Sequence, residues 1–221
     1  MYQEWTSSLP HVVAWRSAVP PGGWTNRILP DGCMDIIWDS GAVYVAGPDT
    51  VAEVGTSPPG SRLFALRFGS GTGPAVLGVP ADELTDRQVA LADLWPAAEV
   101  RRIAGAADPL AALEAAARHR WQDPDPAMVA LAAGARAGRP VGAIADSLGL
   151  SARHLLRRCT TAFGYGPKML HRVLRLQRAL ALARQGEPFA RVSADAGYAD
   201  QAHLAREVRS LAGVPLGALM P

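Results

Sequence analysis

The feature that most constrains the fold is a helix-turn-helix pattern near the C-terminus, which an earlier segment of the chain repeats. Gly197 ends one helix, because glycine adopts the positive φ of a helix C-terminus without a Cβ clash. Asp200 follows as an N-cap that can accept backbone N–H bonds. Leu204 and Val208 then share one face at helical spacing, so this face should be buried and the opposite face exposed.

The earlier copy occupies residues 141–161 and shows the same order of signals. A short helix ends at Gly149, Ser151 caps the next helix, and that helix carries several arginines. A further helix over residues 168–185 joins the copies and would span about 27 Å. The major groove of B-DNA recurs on one side about every 34 Å. The spacing therefore predicts that one chain can place the second helix of each copy in successive grooves.

Both copies resemble the AraC/XylS family of bacterial transcription regulators over residues 127–221. In the second copy the matching residues are Tyr198, Asp200, Leu204, Arg206, Gly213 and Pro215, while Val208 and Val214 replace the usual Phe and Thr or Ser. In the first copy the match runs from Ser151 to Cys159 and includes Gly164 and Pro167, and Arg175 and Ala179 match on the linking helix. The resemblance implies a transcription regulator that binds double-stranded promoter or operator DNA in a sequence-specific manner. It does not imply an enzyme.

The exposed faces of the two second helices supply the candidate DNA contacts. Arg can bond guanine bidentately, Gln can bond adenine, and apolar side chains can contact a thymine methyl group. The candidate base contacts are Arg153, Leu156, Arg157, Gln201, Ala202 and Arg206. The candidate phosphate contacts, which position without specifying, are His154, Arg158, Thr160 and Arg209. The alternative for each arginine is a surface ion pair.

Charge is distributed unevenly along the chain. From residue 134 onward there are 12 Arg and one Lys against five acidic residues, a net charge of +8. Residues 1–133 hold nine Arg against 15 acidic residues, a net charge of −6. A basic C-terminal region fits a polyanionic partner. The alternative is that arginine only solvates the helix faces.

The N-terminal region has the signals of short strands and frequent turns. Apolar, β-rich runs at residues 12–19, 27–29, 34–38, 43–46 and 63–68 are separated by Pro- and Gly-containing turns. We predict an α+β fold, in which a small β sandwich or barrel at 1–79 precedes an all-α domain at 127–221 with two helix-turn-helix subdomains and a linker helix. Residues 80–126 are predicted to form a helical connector, which the Asp-Pro repeat at 123–126 ends.

The N-terminal domain is expected to sense a small effector or to form a homodimer. Residues 29–38 and 67–74 resemble a domain that precedes AraC-type modules and has no known role, and the family commonly carries a β-rich sensor. Aromatic residues could line an apolar pocket there, and a plain aromatic core is the alternative. The candidate pocket residues are Trp15, Trp24, Trp38, Tyr44, Phe64 and Phe68.

A second hypothesis concerns Cys33, which alternates with Asp31 and Asp35 and would share their strand face. This arrangement could bind a metal or expose a reactive thiol, so the alternative function is a DNA-targeted enzyme or a thiol or metal sensor. The simpler interpretation is an Asp-Gly turn that enters a strand. Cys33 and Cys159 form no CxxC, so we predict no zinc site, metal or cofactor.

Other classes find little support in the sequence. A phosphate loop, an HExxH motif and a Ser-His-Asp spacing are absent. A protein–protein adaptor without DNA binding is a third hypothesis, which the +8 charge opposes. No apolar run approaches the ~20 residues of a membrane helix, and no signal peptide is recognisable. We therefore predict a cytoplasmic protein without membrane contacts, from a bacterial source.

Overall fold

The N-terminal half is built on an antiparallel sheet, and helices follow it. The structure is a computed structural model that describes residues 2–220. The strands are β1 (Tyr2–Thr6), β2 (Val12–Ala18), β3 (Trp24–Ile28), β4 (Met34–Asp39), β5 (Ala42–Ala46), β6 (Glu53–Ser57), β7 (Arg62–Phe68) and β8 (Gln88–Ala90). Six of them form one sheet in the order β1-β2-β7-β4-β5-β8, and β3 and β6 form a separate two-stranded ribbon.

Three helices cover one face of the six-stranded sheet. They are α1 (Pro74–Leu77), α2 (Ala97–Ala104) and α3 (Pro109–Arg120). Ile36, Phe68 and Leu113 are fully buried where the helices meet the strands. Burying side chains of this size contributes about 1.5–3 kcal/mol each. The opposite sheet face carries a smaller apolar cluster, which includes Trp15 and Leu63.

The predicted end of the strand region at residue 79 is not where the sheet ends. β8 lies at Gln88–Ala90, inside the predicted helical connector, and pairs with β5. Moreover, α2 and α3 pack on the sheet core, so these connector residues belong to the N-terminal core. The sequence missed β8 because three residues are too few to show alternation. β1 and β6 were also missed, since neither carries a continuous apolar run.

The C-terminal region is entirely helical over its described residues. Its helices are α4 (Pro126–Arg136), α5 (Val141–Ser147), α6 (Ala152–Phe163), α7 (Pro167–Arg184), α8 (Phe189–Asp195) and α9 (Gln201–Ala212). The predicted caps are confirmed: the Ser151 side chain accepts a bond from the His154 N–H, and Asp200 accepts one from the His203 N–H at 2.6 Å. The α+β fold class is therefore confirmed.

The helix α7 contributes buried residues to two separate hydrophobic cores. Its first half contributes Leu170 and Leu174 to the core of α4, α5 and α6. Its second half contributes Leu176 and Leu180 to the core of α8 and α9. Both copies of the helix-turn-helix pattern are thus attached to one rigid element. Across residues 2–220, no helix combines the length and apolar character needed to cross a membrane.

Candidate nucleic-acid interface

The helix α6 presents a polar face to solvent and an apolar face to the core. Leu155 and Cys159 are buried against α7 and its neighbours, so the small thiol of Cys159 packs as a hydrophobe. The predicted base-contact residues Arg153, Leu156 and Arg157 are exposed. Leu156 is 54% exposed, so its side chain is available for an apolar contact.

The helix α9 repeats this division. Leu204 and Val208 are buried in the second core, and the replacement of the family's usual Phe by Val208 leaves that position fully enclosed. The other face exposes the predicted contacts Gln201, Ala202 and Arg206. Each of the two helices is therefore open along the face that the sequence assigned to DNA.

The arginines on these two faces are exposed and form no ion pair with the residues that the structure describes. Within residues 2–220, no carboxylate pairs with Arg153, Arg157, Arg206 or Arg209, and all four side chains are exposed. An arginine that is neither paired nor buried keeps its five N–H donors available. These side chains can therefore bind an anion or a base edge without first breaking an internal contact.

Arg158, a predicted phosphate contact, is different because a carboxylate of the protein already holds its guanidinium. Its Nε donates to Asp125 Oδ2 at 2.7 Å, and its Nη2 pairs with Oδ1 of the same carboxylate. Asp125 also caps α4 by accepting a bond from the Ala127 N–H. Although partial burial opposes it, the bonds from Arg158 hold the pKa of Asp125 below its ordinary value. The sequence could not show this pair, because its members lie 33 residues apart.

The other predicted phosphate contacts differ in how far their side chains are exposed. His154 and Arg209 are exposed, and Thr160 is half-buried on α6. These three positions stay predictions.

A charged network fixes α9 against α7. Arg172 Nε lies 3.0 Å from Glu207 Oε2, and Arg175 Nη2 lies 3.3 Å from the same oxygen. Arg175 also lies over the ring of Tyr198 at 4.3 Å and donates to the Gly197 carbonyl. Although partial burial opposes the effect, the bonds from Arg172 and the nearby Arg175 charge lower the pKa of Glu207. Sequence reasoning missed Arg172 and Glu207 because only the fold brings these two helices together.

The six aromatic residues predicted to line one pocket lie in different places. Trp15 and Tyr44 belong to one face of the large sheet. Phe68 and Trp38 belong to the core on the opposite face, where the Phe64 ring meets Trp38 at 5.6 Å. Trp24 is 40% exposed on the two-stranded ribbon. The single-pocket prediction is wrong, because alternate strand residues point to opposite faces and the strand register was unknown.

Cys33 lies in a polar cluster that favours the simpler interpretation of its turn. Its backbone N–H donates to Asp31 Oδ1 at 2.8 Å, as in an Asp-Gly turn. Burial, and then the nearby Asp31 charge, raise the pKa of the Cys33 thiol to about 12. Asp35 is held by Trp15 Nε1 at 2.8 Å and by Arg67 Nε at 3.2 Å. Within residues 2–220, no group of three or more His, Cys, Asp or Glu side chains could hold a metal.

Two family models match separate parts of the chain. Residues 144–220 match the family described as a helix-turn-helix domain, and residues 9–90 match a domain of unknown function. No curated protein matches the chain.

A search of solved structures gives matches of low sequence identity. ToxT from Vibrio cholerae, bound to an unsaturated fatty acid, is 10% identical with a TM-score of 0.50, and the match covers 97% of this chain and 96% of that one. An apo ToxT variant from the same organism is 12% identical with a TM-score of 0.49, covering 97% and 98%. A probable AraC family transcriptional regulator from Rhodopseudomonas palustris is 22% identical with a TM-score of 0.37, covering 44% and 100%. At 10% identity, the likeness to the fatty-acid-bound ToxT structure concerns the fold alone.

Proposed function

We propose that this chain, which carries an AraC-type helix-turn-helix domain behind a domain of unknown function, is a transcription regulator that binds specific double-stranded DNA sequences. The helices α6 and α9 would act as its two recognition helices. A recognition helix enters the major groove and contacts base edges near its N-terminal end.

One observation carries the proposal. Arg157 and Arg206 are each the sixth residue of their helix, and both are exposed and unpaired within the described part of the chain. Neighbouring arginines such as Arg158 and Arg172 are instead held by carboxylates. Two equivalent free guanidinium groups, one on each helix, are suited to bind guanine in two major-groove segments.

The remaining contacts would follow from the same placement. Arg153 and Leu156 would contact bases beside Arg157, and Gln201 and Ala202 would do so beside Arg206. His154, Thr160 and Arg209 would contact phosphates and fix the register of the protein on the duplex. We assign no DNA contact to Arg158, because Asp125 already holds its guanidinium.

Control by an effector or by dimerisation is a further part of the proposal, and it rests on the presence of an N-terminal domain and not on a defined pocket. The aromatic residues of that domain are divided between two sheet faces and a ribbon. The alternative of an enzyme or sensor that uses Cys33 is disfavoured, since a thiol with a pKa near 12 is almost entirely protonated at neutral pH.

The direct test is selection of bound sequences from a random duplex pool by the full chain. The proposal expects an enriched motif with two blocks of conserved base pairs. Replacing Arg206 by Ala should reduce affinity by ~1–3 kcal/mol and relax the preference at one base pair. Arg184→Ala is the matched control, since Arg184 is exposed near the end of α7 and lies off both recognition faces.

The outcomes separate the parts of the proposal. Absence of any enriched motif would contradict sequence-specific binding. If the R206A variant instead loses the same affinity for every DNA sequence, Arg206 is a phosphate contact.

A further inference from the structure

The C-terminal end of α6 lies against the N-terminal domain. The Gly164 carbonyl accepts a hydrogen bond from Thr85 Oγ1 at 2.9 Å. The approach is so close that a Cβ on Gly164 would lie 2.2 Å from Thr85 Oγ1 and 2.7 Å from Pro48 Cγ. The last carbonyls of a helix have no intrahelical partner, so this bond satisfies a group that the helix leaves free.

The C-terminal end of α9 lies against the same domain. Arg27 Nη1 donates to the Ala212 carbonyl at 3.0 Å, and the Ala52 N–H donates to the Leu211 carbonyl at 2.7 Å. A cation at this end of a helix also interacts favourably with the helix dipole. Leu29 adds an apolar contact with the core of α8 and α9.

One loop takes part in both contacts. Residues 47–52, which we call the bridging loop, place Pro48 beside Gly164 and Ala52 beside Leu211. The loop is fixed to the segment that carries Thr85, because Asp86 accepts bonds from the Thr50 N–H at 2.6 Å and from Thr50 Oγ1 at 2.7 Å.

The bridging loop packs so closely on residues 84–87 that it has little room to move. A Cβ on Gly47 would lie 1.7 Å from the Leu84 carbonyl oxygen, and the Gly47 N–H donates to the Arg87 carbonyl at 3.0 Å. The loop and residues 84–87 thus form one unit that contacts the ends of both helices.

We infer that this unit, with Arg27, positions α6 and α9 relative to each other and thereby sets the spacing between the two DNA half-sites that the chain accepts. The inference rests on the proposed function. The helix α7 is one connection between the two helix-turn-helix subdomains, and the bridging loop supplies a second. Two connections close a ring, and a ring resists the bending that a single helix permits. Thr85 and Arg27 are positioning residues in this arrangement, since they act through the helix ends and not on DNA.

The experiment uses the full chain and the motif that it selects. Duplexes carry one to three additional base pairs between the two half-sites, and the loss of affinity on insertion is measured by titration. The double variant T85V/R27M removes one side-chain hydrogen bond at each helix end. The matched control is T6V/R102M, since Thr6 and Arg102 are exposed on β1 and α2, two elements that carry none of these contacts.

The wild type and the control should lose affinity steeply on insertion. The double variant should lose about 5- to 10-fold less, because both side-chain hydrogen bonds that hold the spacing are removed. A 10-fold change corresponds to about 1.4 kcal/mol. The conservative change Thr85→Ser keeps the hydroxyl donor and should restore most of the spacing dependence. A purely structural role would lower affinity for every spacer equally and leave the dependence on spacing unchanged.

Each result decides one question. If the wild type selects no motif, the proposed function fails. If it selects a motif and the double variant shows the same spacer dependence as the control, the inference is overturned while the proposed function stands. If circular dichroism shows that the double variant does not fold, the two single variants are measured instead. If neither single variant shows a reduced dependence on spacer length, the inference is overturned.

Discussion

The network around Glu207 offers a test of how α9 is held, and the perturbation is Glu207→Gln. Glu207 accepts bonds from Arg172 and Arg175, whose side chains are 28% and 13% exposed. The glutamine has the same shape but no charge, so the two guanidinium groups lose their counter-ion. Hydrogen bonds to charged groups contribute ~1.5–3 kcal/mol when shielded. Partial exposure screens this interaction, so we expect a loss of ~1–2 kcal/mol.

The assays are urea and thermal unfolding of the full chain, both monitored by far-UV circular dichroism. A loss of ~1–2 kcal/mol corresponds to a decrease in Tm of roughly 2–8 °C for a chain of this size. The control is Glu187→Gln, which removes the half-buried carboxylate whose Oε2 lies 3.5 Å from Arg191 Nε. Since Arg191 is 67% exposed, that pair should contribute ~0–0.5 kcal/mol.

The dependence on pH gives a second readout. The folded pKa of Glu207 is lower than its unfolded value, so its contribution is complete above the unfolded pKa of about 4.3 and is lost as pH falls through the folded pKa. The difference between wild type and E207Q should be constant from pH 7 to 5 and should shrink below about pH 4. A difference of zero at pH 7, or one that persists unchanged in acid, would refute the reasoning.

Three further predictions concern other sites. Asp200→Ala should destabilise the chain by ~0.5–2 kcal/mol in urea, because it removes the N-cap of α9, and an unchanged midpoint would show that water satisfies the cap position. Cys33 should resist iodoacetamide in the native protein at pH 8 and react once the protein is unfolded, because its thiol pKa is near 12, and rapid native labelling would contradict this. Arg209→Met should reduce the slope of log affinity against log salt by ~0.9, whereas Arg158→Met should leave it unchanged, and an equal reduction in both would return Arg158 to the phosphate contacts.

The sequence predicted the C-terminal helices because their boundaries depend on local signals. Ser151 and Asp200 cap helices with their own neighbouring N–H groups, and Gly164 and Gly213 end helices at positive φ. Each signal lies within four residues of the feature that it determines. The exposed faces of α6 and α9 followed from the same periodicity.

The features that the sequence could not predict depend on contacts between distant residues. Asp125 and Arg158 are 33 residues apart, and Arg172 and Glu207 are 35 apart. No spacing rule connects such pairs before the fold is known. The aromatic pocket failed for the same reason, because the register that separates Trp15 from Phe68 is set by pairing between β2 and β7.

The shared helix α7 has a consequence for how this chain can change. Each residue of an α-helix turns the chain by about 100° and advances it by about 1.5 Å. A single insertion between Leu174 and Leu176 would therefore rotate the whole unit of α8 and α9 by more than a quarter turn about the helix axis. Side-chain replacements in α7 can be absorbed locally, but a change in its length cannot. The number of residues in this helix should therefore vary less than their identity.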